Sequence, residues 1–228
     1  MGKGKRYDEP KLNLKKVFGT IITIAVIIMI IITINKILSK EAEKINIEKI
    51  TYFSAYTNGK WGVINNKGET IINTEYNEMI TIPNPEKAVF VCIYDVNEET
   101  GEYKTKILNE KQENLFTEYD TVETIENFDS KQNIWYEKNT LRVSKNGKYG
   151  LIDLEGKKLL GCEYDSITAL KSVEENLLVR KDNKVGIVNN VGQIIVPVEY
   201  KDVRILKEGY KNEYIIVNDN NQYGIIST

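Results

Sequence analysis

The chain has 228 residues and a formal net charge of −2, with 31 basic and 33 acidic side chains. This balance argues against nucleic-acid binding driven by charge. The sequence contains no histidine, and its two cysteines, Cys92 and Cys162, lack the CxxC spacing. Histidine-based catalysis, histidine-dependent zinc sites and thioredoxin-type redox motifs are therefore excluded.

An apolar segment lies near the N-terminus. Residues 17–34 are rich in isoleucine and carry no charged side chain, and Ile37 and Leu38 extend the segment. About 20 helical residues cross a hydrocarbon core of about 30 Å, and a strand of this length would be far outside the usual range. The segment is also longer than the apolar core of a signal peptide, and no small-residue cleavage site follows it. We predict an uncleaved signal anchor, a transmembrane helix over residues 17–38.

The charges beside this segment predict its orientation. Residues 1–16 are mainly basic, whereas residues 39–49 mix lysine with glutamate. Under the positive-inside rule, residues 1–16 form a cytoplasmic tail and the C-terminal part lies outside the cell membrane. Residues 39–49 are then a short stalk, and residues 50–228 form the main extracytoplasmic domain.

A repeated unit fills that domain. Its clearest copy begins Asn146-Gly147-Lys148-Tyr149-Gly150-Leu151-Ile152-Asp153 and ends Glu163-Tyr164-Asp165. Copies follow at intervals of 36 and 38 residues, measured from Gly150 to Gly186 and from Gly186 to Gly224. Such a period is typical of stacked supersecondary units. We identify about four and a half units: the second, at 106–120, is degenerate and has lost the aromatic-glycine pair and the turn glycine, and the last is truncated.

The first copy, Asn58-Gly59-Lys60-Trp61-Gly62-Val63-Ile64-Asn65 through Glu75-Tyr76-Asn77, carries the most informative motif. The pattern resembles the WG (KWG) β-repeat family of bacterial proteins over about residues 51–228. Tryptophan occurs in one copy only, and Tyr149, Val185 and Tyr223 replace it in the others. The resemblance implies a β-rich interaction domain, usually associated with the cell surface or envelope, and no known catalytic residues.

Each unit is predicted to be a set of β-hairpins. Strand-forming runs precede pairs that tolerate positive φ, as a two-residue type I′ turn requires; these pairs are Asn58-Gly59, Asn146-Gly147, Asp182-Asn183 and Asn220-Asn221. A second turn carries a glycine suited to a bulge, at Gly68, Gly156 and Gly192. Glycines within strands (Gly62, Gly150, Gly186 and Gly224) predict that another backbone or an aromatic ring lies close to them. We expect the tyrosine of the Glu-Tyr pair, or an aromatic residue of the neighbouring unit, to cover them.

The predicted fold class is an all-β repeat array of stacked β-hairpin units, curved, preceded by one N-terminal transmembrane α-helix. Each unit is too thin to bury its own core, so neighbouring units must stack. A closed or nearly closed propeller is the alternative, since propellers usually contain 4–8 blades of four strands.

No catalytic, cofactor-binding or metal-binding residue is predicted, and no cofactor. The carboxylates of Glu75, Glu118, Glu163 and Glu199 repeat with the unit, whereas a glycosidase pair needs two different environments. The loop at 95–101 resembles a calcium loop only faintly, because Thr100 and Lys106 stand where the motif needs glycine and glutamate. A Cys92–Cys162 disulfide would have to join different units, and the redox state of both thiols stays open.

The segment 127–136 interrupts the repeat and is rich in aromatic residues. Because loops carry recognition more often than scaffolds do, we predict that Phe128, Trp135 and Tyr136 contact a partner. Local packing of a long loop is the alternative. The predicted function is a membrane-anchored binding module, not an enzyme, for an unknown protein or envelope polymer and not for nucleic acid. A cell-wall-acting enzyme and a structural envelope or spore component are the alternatives.

Overall fold

The computed structural model describes residues 49–228. The predicted tail, the predicted transmembrane helix and nearly all of the predicted stalk lie outside these residues. Within 49–228, no helix has the length and apolar character needed to cross a bilayer. The described part is all-β, as predicted, and its strands form small antiparallel sheets.

Five sheets follow one another along the chain. The first sheet contains β1 (Tyr52–Thr57), β2 (Lys60–Asn65) and β3 (Thr70–Tyr76). The second contains β4 (Phe90–Tyr94), β5 (Lys104–Leu108) and β6 (Asn114–Leu115). The third contains β7 (Thr121–Glu123), β10 (Thr140–Lys145), β11 (Lys148–Asp153) and β12 (Lys158–Tyr164).

The fourth sheet contains β13 (Ser166–Ala169), β14 (Asn176–Lys181), β15 (Lys184–Asn189) and β16 (Ile194–Tyr200). The fifth contains β17 (Asp202–Ile205), β18 (Glu213–Val217) and β19 (Tyr223–Ser227). A separate hairpin of β8 (Glu126–Phe128) and β9 (Ile134–Tyr136) is inserted between β7 and β10.

The sheets of the structure do not coincide with the repeat units of the sequence, because the boundary between two sheets is shifted by one strand from the boundary between two units. Three Glu-Tyr pairs end a strand, at Tyr76, Tyr164 and Tyr200, whereas Glu118-Tyr119 lies in the turn after β6. The chain then crosses to the next sheet: β13 begins at Ser166, directly after Tyr164-Asp165, and pairs with β14. The third and fourth sheets therefore have four strands, one more than the predicted hairpin set. In the second sheet, a single bridge between Thr81 and Val91 occupies the place of this added strand.

The type I′ turns are confirmed at three of the four predicted pairs, where both residues have positive φ: Asn58-Gly59, Asn146-Gly147 and Asp182-Asn183. The prediction is wrong at Asn220-Asn221. There Val217 pairs with Tyr223, and only Asn221 has positive φ, at 59°. The side chain of Asn218 accepts a hydrogen bond from the Gln222 backbone N–H at 3.0 Å, which closes a longer turn instead.

That longer turn is the second turn of the other units. An Asn or Asp side chain accepts from the backbone N–H groups two and four residues later, as Asp153 does from Glu155 and Lys157 at 3.0 and 2.8 Å. The degenerate copy keeps this geometry through Asn109, and Gln112 adopts φ 60° where the other copies have glycine. The side-chain acceptor thus preserves the turn after the glycine is lost.

At three of the strand glycines the close neighbour is backbone, one of the two predicted neighbours, and not the expected aromatic ring. A Cβ on Gly62, Gly150 or Gly186 would lie 2.5–2.7 Å from a carbonyl oxygen of the adjacent third strand, not against an aromatic ring. At Gly150 the pairing shifts between Tyr149–Tyr164 and Leu151–Leu160, so β12 bulges toward the glycine. A side chain would collide with this bulged backbone.

Four apolar clusters form the core, and each joins two successive sheets. The cluster between the first and second sheets includes Val63 and Phe90, and the cluster between the fourth and fifth includes Ile187 and Tyr214. The other two join the second sheet to the third and the third to the fourth. Among residues 49–228, no cluster unites the first sheet with the fifth.

Candidate functional site

The inserted hairpin β8–β9 is fixed to the fourth sheet by one buried amide. Asn127 is 1% exposed, and its Nδ2 donates to the carbonyl oxygens of Leu170 and Val173 at 3.1 and 2.9 Å. Its Oδ1 accepts from the backbone N–H groups of Phe128 and Ser172 at 2.8 and 3.2 Å. The hairpin is therefore held on the loop that joins β13 to β14, and it does not project freely.

A second anchor lies just after β9, at Glu137. This carboxylate is 3% exposed and accepts from the Glu175 backbone N–H at 3.2 Å. Burial is the main cause that raises the pKa of Glu137 from 4.5 to about 7, and the Glu175 N–H opposes that rise. No sequence signal pointed to this residue, because a lone glutamate beside an aromatic run is usually exposed.

The three predicted contact residues do not form one surface. Phe128 is 36% exposed, and the Lys171 ammonium lies 4.9 Å from the centre of its ring. Trp135 and Tyr136 are half-buried, and the Trp135 indole Nε1 is buried without a hydrogen-bond partner in the described structure. The most exposed apolar side chain of the hairpin is Ile134, at 61%, which is not among the predicted contact residues.

A cleft of about 270 Å³ opens beside the hairpin, and Tyr136 forms part of its wall. We call it the hairpin cleft. It lies against the added strands of three sheets, and its polar lining includes Thr81, Tyr103, Glu123, Thr124, Glu126, Tyr136, Arg142 and Thr168. These residues suit a polar ligand that forms hydrogen bonds with the threonine and tyrosine hydroxyl groups and stacks on the tyrosine rings.

An ion pair forms one wall of the hairpin cleft. The Arg142 guanidinium donates through Nε to Glu123 Oε2 at 3.1 Å, and through Nη1 to the Ile167 carbonyl oxygen at 2.9 Å. It also lies over the Tyr149 ring at 5.4 Å. Arg142 is thus engaged in linking the third and fourth sheets, which leaves the tyrosines and threonines to contact a ligand.

Tyr103 stands on the rim of the hairpin cleft. Burial raises the pKa of its hydroxyl, with a further contribution from the Glu123 carboxylate. The phenol therefore keeps its proton at neutral pH and can donate a hydrogen bond. It is 48% exposed, so a ligand can reach it.

The repeated carboxylates occupy scaffold positions. All four glutamates are exposed, whereas the tyrosines that follow them are buried or half-buried. Glu75, Glu163 and Glu199 lie at strand ends, and Glu118 lies in the turn after β6. Glu163 pairs with Lys181 at 2.6 Å. The lysine before the aromatic position recurs as well: Lys60 bonds to Asn77 and Lys148 to Asp165, each 17 residues later. The two lysine contacts tie the hairpins β1–β2 and β10–β11 to the residue that follows β3 or β12, and the Glu163–Lys181 pair joins the third sheet to the fourth.

The remaining candidates are dispersed. Cys92 and Cys162 are free thiols in different parts of the core, and burial raises the pKa of Cys92 to about 11. In the loop at 95–101, Asp95 pairs with Lys104, and Asn97 accepts from the backbone of Glu99 and Thr100. Across residues 49–228, no group of three or more acidic or cysteine side chains is placed to hold a metal ion.

The repeated strand-and-turn geometry has a counterpart among known families. Three stretches of the chain match the WG containing repeat. They cover residues 61–84, 149–184 and 186–223, so the degenerate second copy is unmatched. No curated protein matches the chain. The WG repeats support a repeat-based interaction module.

Proposed function

We propose that the chain is a single-pass membrane protein whose WG-type repeats form an extracytoplasmic binding module for a protein or an envelope polymer. Its ligand-contacting part is the hairpin cleft together with the exposed edge of β8–β9. The apolar segment 17–34 and the basic tail before it support the anchor and its orientation.

One observation supports this location of the binding site. The β8–β9 hairpin departs from the repeat, yet Asn127 and Glu137 hold it rigidly beside a lined cleft. A loop that only connected β7 to β10 would not need two buried polar side chains. Burying each of them costs desolvation free energy, which its hydrogen bonds must offset. A rigid hairpin beside a cleft limits the conformational entropy lost when a ligand binds.

Photo-crosslinking in intact cells tests this site. A photoreactive residue replaces Ile134, which is 61% exposed on the hairpin; the control replaces Val191, which is 55% exposed on the turn between β15 and β16. We expect a discrete adduct from the Ile134 position alone, with the partner identified by mass spectrometry. No adduct at Ile134, or the same adduct at both positions, would contradict the proposal.

Two further measurements address the anchor and the alternative class. Protease treatment of whole cells should digest the repeat region, and complete protection in a permeable envelope would reverse the proposed orientation. The full chain in membranes should show no turnover of cell-wall polymer. Reproducible hydrolysis would replace the binding module with the enzyme alternative.

A further inference from the structure

In each sheet, the side chain at one equivalent strand position points toward the next sheet along the chain. This residue follows the aromatic-glycine pair, or stands at the equivalent register position in the second sheet. In the first four sheets it is Val63, Ile107, Leu151 and Ile187, with exposures of 0, 1, 0 and 0%. In the fifth sheet it is Ile225, which is 63% exposed. We call the outer side of the fifth sheet, with Ile215, Tyr223 and Ile225, the trailing face.

Each sheet also presents one side chain to the sheet before it. By strand register, these residues are Phe90, Leu141, Leu177 and Tyr214 in the second to fifth sheets, and all four are 0% exposed. The equivalent residue of the first sheet is Phe53, which is 38% exposed. We call the outer side of the first sheet, with Phe53, Ala55 and Ile64, the leading face.

The two positions meet at every internal interface. Val63 and Phe90 share the first cluster, and Ile107 and Leu141 share the second. Leu151 and Leu177 share the third, and Ile187 and Tyr214 share the fourth. Within 49–228, only the two ends of the series, Ile225 and Phe53, lack this counterpart.

We propose that the trailing face of one copy of the chain stacks on the leading face of a second copy, with Ile225 packed against Phe53. The contact continues the internal interface, since it brings together the two register positions that meet in all four clusters. The residues that define the two faces are uncharged. By strand register, Asp202 and Arg204 of β17 also lie on the trailing face beside Ile215, but they form an ion pair at 2.6 Å, so neither charge would be buried without its partner. The interface is heterologous, and repeated stacking gives a ring or a filament.

Disulfide trapping between two tagged versions of the full chain tests the stacking. Both versions carry Cys162→Ser and are purified in a mild detergent; Cys92 is fully buried and is retained. One version carries Phe53→Cys and the other Ile225→Cys. Under mild oxidation we expect a covalent dimer that contains both tags and greatly exceeds the dimer formed by either version alone.

A charge placed on the trailing face should weaken the association of the otherwise unmodified chain. We expect Ile225→Asp to raise the dissociation constant measured by light scattering by about tenfold or more. Ile194→Asp is the matched control, since Ile194 is 62% exposed but lies on the edge strand β16, away from both end faces. It should leave the association unchanged.

Four results would overturn the proposal. The first is absence of the mixed dimer when both thiols react with a maleimide. The second is protection of the Phe53→Cys thiol from maleimide in isolated chains, which would show that the chain covers its own leading face. The third is a dominant dimer within the Ile225→Cys version alone. The fourth is an intramolecular disulfide in a chain carrying both cysteines, which would show that its own ends meet.

Discussion

At the scale of single residues, the unit depends on a few backbone positions more than on its tryptophan. Trp61 has no tryptophan counterpart in the other copies, yet the strands around Tyr149 and Val185 keep the same register. The glycine after each of these residues lies against the bulged backbone of the third strand. The aromatic position tolerates exchange, since Trp61 and Tyr149 pack at the side of a cluster whereas Val185 is a buried member of one. The glycine position does not tolerate it.

Gly150→Ala tests this difference. The new Cβ would lie 2.7 Å from the Leu160 carbonyl oxygen, and backbone cannot move aside as a flexible side chain can. We expect the free energy of unfolding to fall by about 2 kcal/mol. Urea unfolding of the full chain in detergent, followed by tryptophan fluorescence, measures the change.

Gly161→Ala is the control on the neighbouring strand. No heavy atom lies within 4 Å of its added Cβ, and its φ is not positive. Its effect should stay within about 0.5 kcal/mol. Equal losses for the two variants would show that glycine flexibility, and not the close approach of β12, explains the register that the units share.

At the scale of elements, the turns could be predicted well from the sequence because their chemistry is local. Asn-Gly and Asp-Asn pairs adopt positive φ at low cost, so three type I′ turns follow from the sequence. The prediction failed at Asn220-Asn221 because this pair has the residue types of a type I′ turn and could not be distinguished from the other three by composition. The outcome depended on Asn218, whose side chain closes the alternative turn.

The added strands and the hairpin anchors could not be predicted in the same way. Strand β13 has four residues and becomes a strand by pairing with β14 of the next sheet, which is a tertiary contact. Asn127 likewise bonds to carbonyl groups more than forty residues away. The 127–136 segment was recognisable as a departure from the repeat, but its rigid attachment was not.

Glu137 makes the attachment of the β8–β9 hairpin sensitive to pH. Its pKa is about 7 in the folded chain, against an ordinary value of 4.5. Below about pH 4.5 both the folded and the unfolded chain hold the proton. As pH rises from about 4.5 to 7, the unfolded chain releases the proton first, so the free energy of unfolding falls over this range. Above pH 7 both states are ionised, and the free energy of unfolding no longer changes because of Glu137. The difference amounts to about 3 kcal/mol.

Glu137→Gln should remove that pH dependence. The amide oxygen can still accept from the Glu175 backbone N–H, but the side chain no longer ionises. We expect the difference in the free energy of unfolding between pH 5 and pH 8 to shrink by about 2.5 kcal/mol relative to the unmodified chain, since the unfolded carboxyl is already mostly ionised at pH 5. Glu98→Gln, in the exposed loop between β4 and β5, is the control and should keep the original difference. An unchanged difference in the Glu137→Gln variant would contradict the role assigned to this buried carboxyl.

At the scale of the whole molecule, the described part behaves as a series in which each sheet stabilises its neighbours. The four clusters join successive sheets, and no fifth cluster links the ends within 49–228. In such an array, stability is approximately a sum of unit and nearest-neighbour terms. A cavity in one cluster should therefore loosen the adjoining sheets more than distant ones.

Ile187→Ala and Ile72→Ala test this at opposite ends of the series. Ile187 belongs to the cluster of the fourth and fifth sheets, Ile72 to that of the first and second, and their exposures are 0 and 1%. Each truncation should cost about 2–5 kcal/mol. Hydrogen exchange followed by mass spectrometry should show faster exchange in β13–β19 for Ile187→Ala and in β1–β6 for Ile72→Ala. Because the two variants lose the same side-chain atoms, each serves as the control for the other. Uniform acceleration over all five sheets in both variants would show that the chain unfolds as one cooperative unit, and the nearest-neighbour description would then be wrong.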